Sequence, residues 1–164
     1  MISKTMQDAI TQQIKDEFAS AHLYLSMSAY FTSINMNGFA HWMRLQYTEE
    51  VNHAMKFFDY LHDRGGHAGV PGIEKPAAAF KSTFDAFQQY LDHEKKVTQM
   101  INGLYEKATK DNDYATEIML HWFIKEQVEE EKVGMEIIEQ LKIVGDSKAA
   151  LLMLDRQLAA RSNA

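Results

Sequence analysis

Two distant stretches of the sequence carry metal-binding types of side chain at the same spacing. Glu50 and His53 are three residues apart, and Gln127 and Glu130 repeat that spacing 77 residues later. Residues three apart lie one turn apart on the same face of a helix. Both pairs lie in stretches rich in apolar residues, YTEEVNH with its flanks and FIKEQVEEEKVG. Carboxylates directed toward a hydrophobic core need cationic partners, so this pattern indicates metal binding.

The same offset of 77 residues relates other positions of the two halves. Glu17 corresponds to Glu94, and Glu49 corresponds to Glu126. Positions that we expect in the core also recur at this offset, namely Ile10 and Phe87, Ile14 and Leu91, and Val51 and Val128. Two copies of a helical hairpin would produce this recurrence. Packed about a pseudo-twofold axis, they would bring six polar side chains together at mid-bundle: Glu17, Glu50, His53, Glu94, Gln127 and Glu130.

Glu17 and Glu94 each continue an apolar stripe of helical period, which predicts that both point inward. The two stripes are Ile10, Ile14, Glu17, Ala21, Tyr24 and Phe87, Leu91, Glu94, Val97, Ile101. Leu25 is expected on the same inner side. A single Glu-x-x-His pair is usually solvated surface. Four carboxylates that recur on four stripes are not explained as surface, and without cations they would repel one another.

The donor set restricts the metal. Four carboxylates, one imidazole and one amide suit iron or manganese better than copper(I) or a structural zinc. Carboxylates bridge metal ions about 3.5–4 Å apart, and four of them neutralise two divalent ions. In known dimetal bundles two helices each supply a glutamate and two others each supply Glu-x-x-His, and we match this chain to that pattern. The chain departs from it at Gln127–Glu130.

Helices must position these groups, because the apolar period is helical outside one segment. That segment, residues 65–82, contains both prolines of the chain, Pro71 and Pro76. The predicted helices cover about 5–34, 38–64, 83–109, 113–144 and 147–160. Two short links and one long connection predict a single all-α domain over residues 1–164: a four-helix bundle with one long crossover and a short fifth helix. The alternative is an up-down-up-down bundle with a disordered loop.

Composition excludes several classes of protein. The chain has 164 residues and no cysteine, which excludes disulfides, thiolate metal sites and iron–sulfur clusters. The net charge is −6, without a basic cluster, so we expect cations and not nucleic acid as partners. Neither a signal segment nor a membrane-spanning run is evident, and we expect a cytoplasmic protein without a membrane partner.

Three further features carry expectations of their own. Leu151, Leu152, Met153 and Leu154 make the fifth helix apolar nearly all round, which predicts contact with other subunits. Trp42 and Trp122 are expected in the core, with Trp122 bordering the site. His93 is a candidate neighbour of the site. The acids at the turn between the third and fourth predicted helices are candidates for lining a cation pore: Asp111, Asp113 and Glu117.

With these motifs in view, the chain resembles the bacterial non-haem ferritins over essentially its whole length. The segments that carry the resemblance are IKDEFASAHLYLSMSAYF, QYTEEVNHAMKFFDYLHDRGG and HWFIKEQVEEEK. The resemblance implies an iron-storage protein whose subunits form a hollow cage of twenty-four. Each subunit would oxidise Fe(II) with O2 or H2O2 at a dinuclear ferroxidase centre and pass Fe(III) to a mineral inside.

The resemblance also implies roles for particular residues. Glu17, Glu50 and His53 would hold the first iron, and Glu94, Gln127 and Glu130 would serve the second. Glu50 would bridge the two irons, and Tyr24 would be a hydrogen-bond partner and electron donor beside them. A nearby third iron site would be formed by Glu49, Glu126 and Glu129, with Glu130 shared.

Related families fit less well. Bacterioferritins have the double Glu-x-x-His form and bind haem through a methionine just after the second-helix glutamate, whereas Val51 and Asn52 follow Glu50 here. We therefore expect no haem. Rubrerythrins require cysteine pairs, and the miniature DNA-protecting ferritins lack a fifth helix and place their ligands between subunits.

Two other functions remain open at this point. One is a dimetal redox enzyme or peroxide scavenger on the same bundle, without a mineral store. The other is a structural helical module whose acids bind metal incidentally. The size of the assembly separates the cage from both, because a dimetal enzyme is usually a monomer or a dimer.

Overall fold

A computed structural model of the chain describes residues 1–162, and five α-helices account for most of them. They are α1 (Lys4–Ser33), α2 (Asn37–Asp63), α3 (Thr83–Lys110), α4 (Tyr114–Val144) and α5 (Lys148–Leu158). The first four form the bundle, and α5 packs on the ends of α2 and α4. The predicted all-α fold class, with one long crossover and a short fifth helix, is confirmed. Within the described residues, no helix combines the length and apolar character that a bilayer crossing requires.

The crossover between α2 and α3 runs along the whole of α1. Near the start of α1, the Gln7 side-chain oxygen accepts a hydrogen bond from the backbone N–H of His67 at 3.2 Å. Near its end, the Ser26 hydroxyl donates to the carbonyl oxygen of Ala77 at 2.5 Å. Phe80 then enters the core. This path carries the chain from one end of the bundle to the other, so α1 is antiparallel to both α2 and α3.

Side-chain caps explain where four of the helices begin. Ser3, Ser82, Asp113 and Ser147 each accept a hydrogen bond from a backbone N–H three residues later. At α2 the capping position is Met36, whose side chain makes no such bond. The cap comes instead from α5, because Asp155 Oδ1 accepts from the Phe39 N–H at 2.9 Å. The short fifth helix therefore completes the N-terminus of α2.

The hydrophobic core consists of two clusters with the polar site between them. One cluster lies toward the α1–α2 turn and includes Phe31, Phe39 and Phe87. The other lies toward the opposite end and includes Ile10 and Phe57. The predicted inward stripes of α1 and α3 are buried throughout. The bundle thus encloses its carboxylates on both sides with apolar packing.

Three positions that we expected in the core are elsewhere. Leu25 is 43% exposed and Val128 is 69% exposed, while Val51 is only partly buried. Successive residues turn about 100° around a helix. Each of the three directly follows an inward residue, so each lies about a quarter turn away from the core. The placement of Val51 and Val128 as a core pair was therefore wrong, as was that of Leu25.

Candidate metal centre

One half of the site is built by α1 and α2. Donor atoms of Glu17, Glu50 and His53 all lie within 4.8 Å of one another, and all three side chains are buried. His53 Nδ1 is 3.6 Å from Glu50 Oε2. The Glu17 carboxyl shares a hydrogen bond with that of Glu50. Glu17 of α1 thus converges with the Glu50–His53 pair of α2 at mid-bundle, where the pseudo-twofold arrangement predicted them.

The other half is built by α3 and α4. Gln127 Nε2 donates to Glu94 Oε2 at 3.0 Å and to the Glu94 backbone oxygen at 3.2 Å. Glu94 and Glu130 are both buried, and the negative charge of each acts on Glu50. All six predicted side chains therefore meet in one place. Among residues 1–162, no lysine or arginine forms an ion pair with any of the four central glutamates.

Burial without a cation raises the pKa of every central carboxyl group. Loss of solvation is the main cause in each case, and repulsion between neighbouring carboxylates adds to it. For Glu17 and Glu50 the pKa is well above its ordinary value, and for Glu94 it reaches about 8. Without metal, the site therefore retains protons near neutral pH. A metal ion that binds there displaces them.

A set of hydrogen-bond donors surrounds the carboxylates. Tyr24 donates its hydroxyl proton to Glu94, and burial raises the pKa of Tyr24 well above its ordinary value, so the phenol keeps that proton. Gln13 Nε2 donates to Glu17 Oε1 at 2.8 Å. Glu130 Oε2 accepts from the Tyr90 hydroxyl at 2.5 Å and from Gln46 Nε2 at 2.9 Å. These donors orient the carboxylates before any metal binds.

Sequence analysis missed three of these donors, although a signal for them exists. Gln13, Gln46 and Tyr90 each lie four residues before a central glutamate, namely Glu17, Glu50 and Glu94. A polar side chain one turn away on the buried face has to find a partner inside the bundle. Gln46 and Tyr90 find theirs across the bundle, on α4.

The position of Tyr90 depends on a glycine of α4. A Cβ atom at Gly134 would lie 2.9 Å from Tyr90 Cε1. Because Gly134 lacks that atom, the Tyr90 ring packs directly against α4. Gly134 follows Glu130 by one turn, so the phenol reaches the Glu130 carboxylate.

A cavity of about 850 Å³ opens beside the centre, and the predicted third-site carboxylates line it. Glu49, Glu126 and Glu129 face this cavity together with Glu130 and His53. Glu126 Oε1 is 4.0 Å from His53 Nε2. Burial raises the pKa of Glu126 above its ordinary value. The cavity thus joins an outer group of carboxylates to the central six.

The aromatic neighbours partly differ from expectation. Trp42 is buried as predicted, but Trp122 is 37% exposed, so its placement in the core was wrong. Trp122 does border the site, since its ring meets the His53 ring edge-on with 5.3 Å between centroids. His93 accepts or donates a 2.7 Å hydrogen bond with Ser20, and its ring lies edge-on to Tyr24. His93 therefore touches the tyrosine beside the centre.

The three acids proposed for a cation pore have different surroundings in the structure. Asp113 is paired with Arg64 at 2.9 Å and caps α4, so its carboxylate is already occupied. Asp111 is exposed, and Glu117 is 3.5 Å from the Tyr105 hydroxyl. A structural role for Asp113 explains its residue type without a pore.

The fold and the site together define a class of protein. Four antiparallel helices, with one long crossover, each direct at least one carboxylate to a common point, where an imidazole and an amide complete the donor set. This is the arrangement of the dimetal-carboxylate four-helix bundles.

Comparison with known proteins identifies the family within that class. Residues 7–144 match the ferritin-like domain family. A bacterial non-heme ferritin of Staphylococcus haemolyticus is 40% identical over 99% of this chain and 98% of its own length. One from Bacteroides fragilis is 39% identical over 98% and 100% of the two chains. The chain belongs to the ferritin family, as the resemblance of its motifs indicated.

Solved structures agree with this assignment. The open pore ferritin of the hyperthermophilic archaeon Archaeoglobus fulgidus superimposes with a TM-score of 0.98 at 44% identity, covering 99% of this chain and all of the other. A humanized archaeal ferritin gives a TM-score of 0.99 at 44% identity, with 100% and 99% coverage. The similarity includes the crossover and α5, because it extends over the whole length of the described bundle.

Proposed function

We propose that this protein oxidises Fe(II) at the buried centre and stores the resulting Fe(III) as a mineral inside an oligomeric cage. The convergence of Glu17, Glu50 and His53 within 4.8 Å, in an anionic bundle centre that no lysine or arginine of residues 1–162 neutralises, is the observation that carries this proposal. Membership of the ferritin family supports iron as the metal, and iron is here the substrate and cargo.

The two halves of the site divide the ligands between two irons. Glu17, Glu50 and His53 hold the first iron, and Glu94, Gln127 and Glu130 hold the second. Glu50 lies between the halves and bridges them. The Gln127 amide nitrogen is directed at Glu94, which leaves its oxygen for the metal. Four carboxylates then match the charge of two Fe(II) ions.

Holding two Fe(II) ions together matches the electron demand of the oxidant. Each iron gives up one electron, and O2 takes up both with two protons and leaves as hydrogen peroxide. Hydrogen peroxide as oxidant takes the same two electrons with two protons and yields two molecules of water. Tyr24 keeps its hydroxyl proton, donates it in a hydrogen bond to the Glu94 carboxylate and so fixes that ligand. We expect Glu49, Glu126 and Glu129, with Glu130, to bind a third iron, and we expect no haem.

The test removes the bridge and the imidazole together. In the Glu50→Ala, His53→Ala double variant the two one-electron donors are no longer held side by side. Stopped-flow absorbance after addition of two Fe(II) per subunit should therefore lose its rapid early phase. Slow mineral growth at high iron loading should remain, because nucleation on interior carboxylates needs no dinuclear centre.

Two comparisons decide the outcome. The Glu106→Gln variant changes an exposed glutamate of α3 and should oxidise iron like the parent. If the double variant also oxidises the first two irons at the parent rate, the catalytic centre lies elsewhere. Size-exclusion after aerobic iron loading separates storage from a dimetal enzyme, because only a cage of hundreds of kilodaltons retains many irons per subunit.

A further inference from the structure

The chain segment that follows α5 returns to the cavity beside the metal centre. The backbone oxygen of Arg161 accepts a hydrogen bond from His41 Nε2 at 3.0 Å. The Arg161 guanidinium carbon lies 4.7 Å from the centre of the Trp42 ring, a cation–π contact. Both contacts hold Arg161 against α2, so this residue becomes part of the cavity wall.

The Arg161 guanidinium is bound to one carboxylate of the outer group. Its Nη2 atom donates to both oxygens of Glu49, at 3.0 Å and 2.7 Å. The contact is charge-assisted, but one nitrogen serves both oxygens, so it lacks the stronger geometry in which two nitrogens each donate to one oxygen. Glu126 and Glu129 face the same cavity, yet neither has an ion pair with arginine or lysine in residues 1–162. Glu49 is thus the outer carboxylate that a cation of the chain already occupies.

We propose that Arg161 is an internal cation of the third metal site, and that a metal ion uses Glu49 only after displacing the Arg161 guanidinium. The proposal rests on the function proposed above, because it concerns the outer site of the same centre. According to this proposal, Arg161 controls how tightly that site binds metal.

The contact is suited to exchange. Both side chains are about one-quarter exposed, at 26% for Arg161 and 25% for Glu49. Ion pairs that solvent reaches contribute little net stability. A divalent ion and a guanidinium repel each other, and Arg161 Nη2 contacts both oxygens of Glu49, so a metal ion that binds Glu49 has to take over at least one of these contacts. The arginine therefore weakens the third site without blocking it, and metal bound there remains easy to release.

The same guanidinium also acts on the inner centre. Arg161 Nη1 donates to Gln46 Oε1 at 2.5 Å, which leaves the Gln46 amide nitrogen directed at Glu130. That nitrogen donates to Glu130 Oε2 at 2.9 Å. Displacement of Arg161 frees Gln46 from one of its partners. Occupation of the outer site is thereby linked to the hydrogen bonding of an inner ligand, with Arg161 as a positioning residue.

Zinc titration of the apoprotein tests the proposal without depending on oxidation, since Zn(II) has no redox chemistry. Calorimetry should resolve two zinc ions per subunit at the inner centre and a weaker third. In the Arg161→Gln variant the third zinc should bind about five- to tenfold more tightly, because it no longer competes with a cation. The affinity of the inner pair should change less.

Control variants separate competition from structural support. The Glu49→Gln variant should lose the third zinc, and the Arg161→Gln, Glu49→Gln double variant should show no gain. Arg161→Lys keeps the charge but not the fork, so it should bind with intermediate affinity. If Arg161 only supported the fold, its replacement would weaken the third site or leave it unchanged. If the glutamine variant unfolds, the lysine variant tests the competition instead. It keeps a cation, and it should still bind the third zinc more tightly than the parent does.

A fluorescence signal reports the displacement itself. The chain has two tryptophans, so in a Trp122→Phe background Trp42 is the single emitter. Binding of the third zinc should change Trp42 emission when Arg161 leaves its ring. The change should be absent from the same background with Arg161→Gln.

Each failure has a distinct signature. Third-site affinity that is unchanged or lower in Arg161→Gln overturns the role of Arg161, and so does a chain that binds two zinc ions with or without the arginine. Absence of an inner zinc pair sensitive to Glu50→Ala, His53→Ala would instead overturn the proposed dinuclear centre. That result would leave the Glu49–Arg161 competition measurable at the outer carboxylates.

Discussion

Glu94 is buried at the centre of the bundle, where it faces other carboxyl groups and forms no ion pair with any lysine or arginine of the described chain, residues 1–162. Only 1% of the residue is exposed, and its partners are the Tyr24 hydroxyl and the Gln127 amide. Burial, followed by repulsion from Glu130, raises the pKa of Glu94 to about 8. The site is therefore arranged for bound metal, and the metal-free protein carries a cost that depends on pH.

The first prediction concerns that pH dependence. A carboxyl group with a higher pKa in the folded than in the unfolded state stabilises the fold while it is protonated, and this contribution is lost as pH rises toward the folded pKa. For Glu94 the loss extends from about pH 4.5 to about pH 8. The metal-free protein should thus have a lower melting temperature at pH 8.5 than at pH 6.5, as calorimetry can measure.

The comparison starts at pH 6.5 because the stability contribution of a second titrating group, His93, changes below that pH. Burial lowers the pKa of His93 from 6.5 to about 4, so its contribution to stability increases with pH between those values and opposes that of Glu94. Above pH 6.5 this opposition ends. Zinc-loaded protein is the control, because its carboxylates have already lost their protons. An equal loss of stability with zinc bound would contradict the role of the site.

The second prediction removes the charge at Glu94. Glu94→Gln keeps the size of the side chain and an oxygen that accepts from Tyr24, and it abolishes one of the mutually repelling charges. At pH 8.5 the apoprotein should gain on the order of 1–2 kcal/mol, since one pKa unit corresponds to about 1.4 kcal/mol. Chemical denaturation at pH 6.5 and 8.5 would show the gain mainly at the higher pH.

The matched control for this variant is Glu106→Gln on the exposed side of the same helix, which should leave stability unchanged at both values of pH. Metal binding should separate the two variants further. Glu94→Gln should bind the second zinc more weakly, whereas Glu106→Gln should not. A Glu94→Gln apoprotein that is folded but no more stable would argue against a crowded anionic centre.

At the scale of elements, α5 is held by a contact that also completes α2. A Cβ atom at Gly38 would lie 1.7 Å from the Asp155 backbone oxygen, so the two helices approach closely only because residue 38 is glycine. Asp155 then caps α2 through the Phe39 N–H. The order of α5, and of Arg161 beyond it, depends on this junction.

The third prediction breaks the junction with Asp155→Ala. Loss of the cap should cost about 1–2 kcal/mol of apoprotein stability, as measured by chemical denaturation. It should also release α5 and increase amide hydrogen exchange over residues 148–158. Ser3→Ala removes the cap of α1 and provides the control: a comparable loss of stability with no added exchange in α5. Unchanged exchange there in Asp155→Ala would mean that apolar packing alone holds the helix.

At the scale of the whole molecule, the single chain leaves apolar surface uncovered. On α5, Leu152 is 47% exposed and Met153 is 71% exposed. A separate apolar pocket of about 330 Å³ lies between the helices and the crossover, lined by Phe18, Phe58 and Val70 among others. Exposed apolar surface of this kind is typical of contacts between subunits. It supports the proposed homo-oligomeric cage.

The fourth prediction concerns assembly. Leu152→Arg places a charge where copies of α5 would meet, and burial of an unpaired charge costs several kcal/mol per contact. Sedimentation velocity should then show species much smaller than the parent assembly. Leu152→Met keeps an apolar side chain of similar volume and should assemble normally. An intact cage from the arginine variant would remove α5 from the subunit interface.

The sequence by itself determined the parts of this protein that depend on local periodicity. Helical spacing of apolar residues, a single segment containing both prolines and an offset of 77 were sufficient for the fold class and for the convergence of six polar side chains. These features are readable because residues on one face of a helix recur every three or four positions. A carboxylate that continues an apolar stripe therefore faces the core with its apolar neighbours.

Only the tertiary structure decided which groups meet across the bundle. Tyr90 reaches Glu130 over Gly134, Asp155 caps a helix more than one hundred residues earlier, and Arg161 binds Glu49. No regular spacing in the chain relates these partners, because each contact depends on how closely two separate helices or segments approach. The core position expected for Trp122 was wrong for the same reason. The approach of α4 to α2 places its ring at the edge of the cavity, beside His53. The six converging side chains follow from the period of single helices, whereas the hydrogen bonds of Tyr24, Tyr90 and Gln46 and the Arg161 contact with Glu49 depend on packing between separate segments.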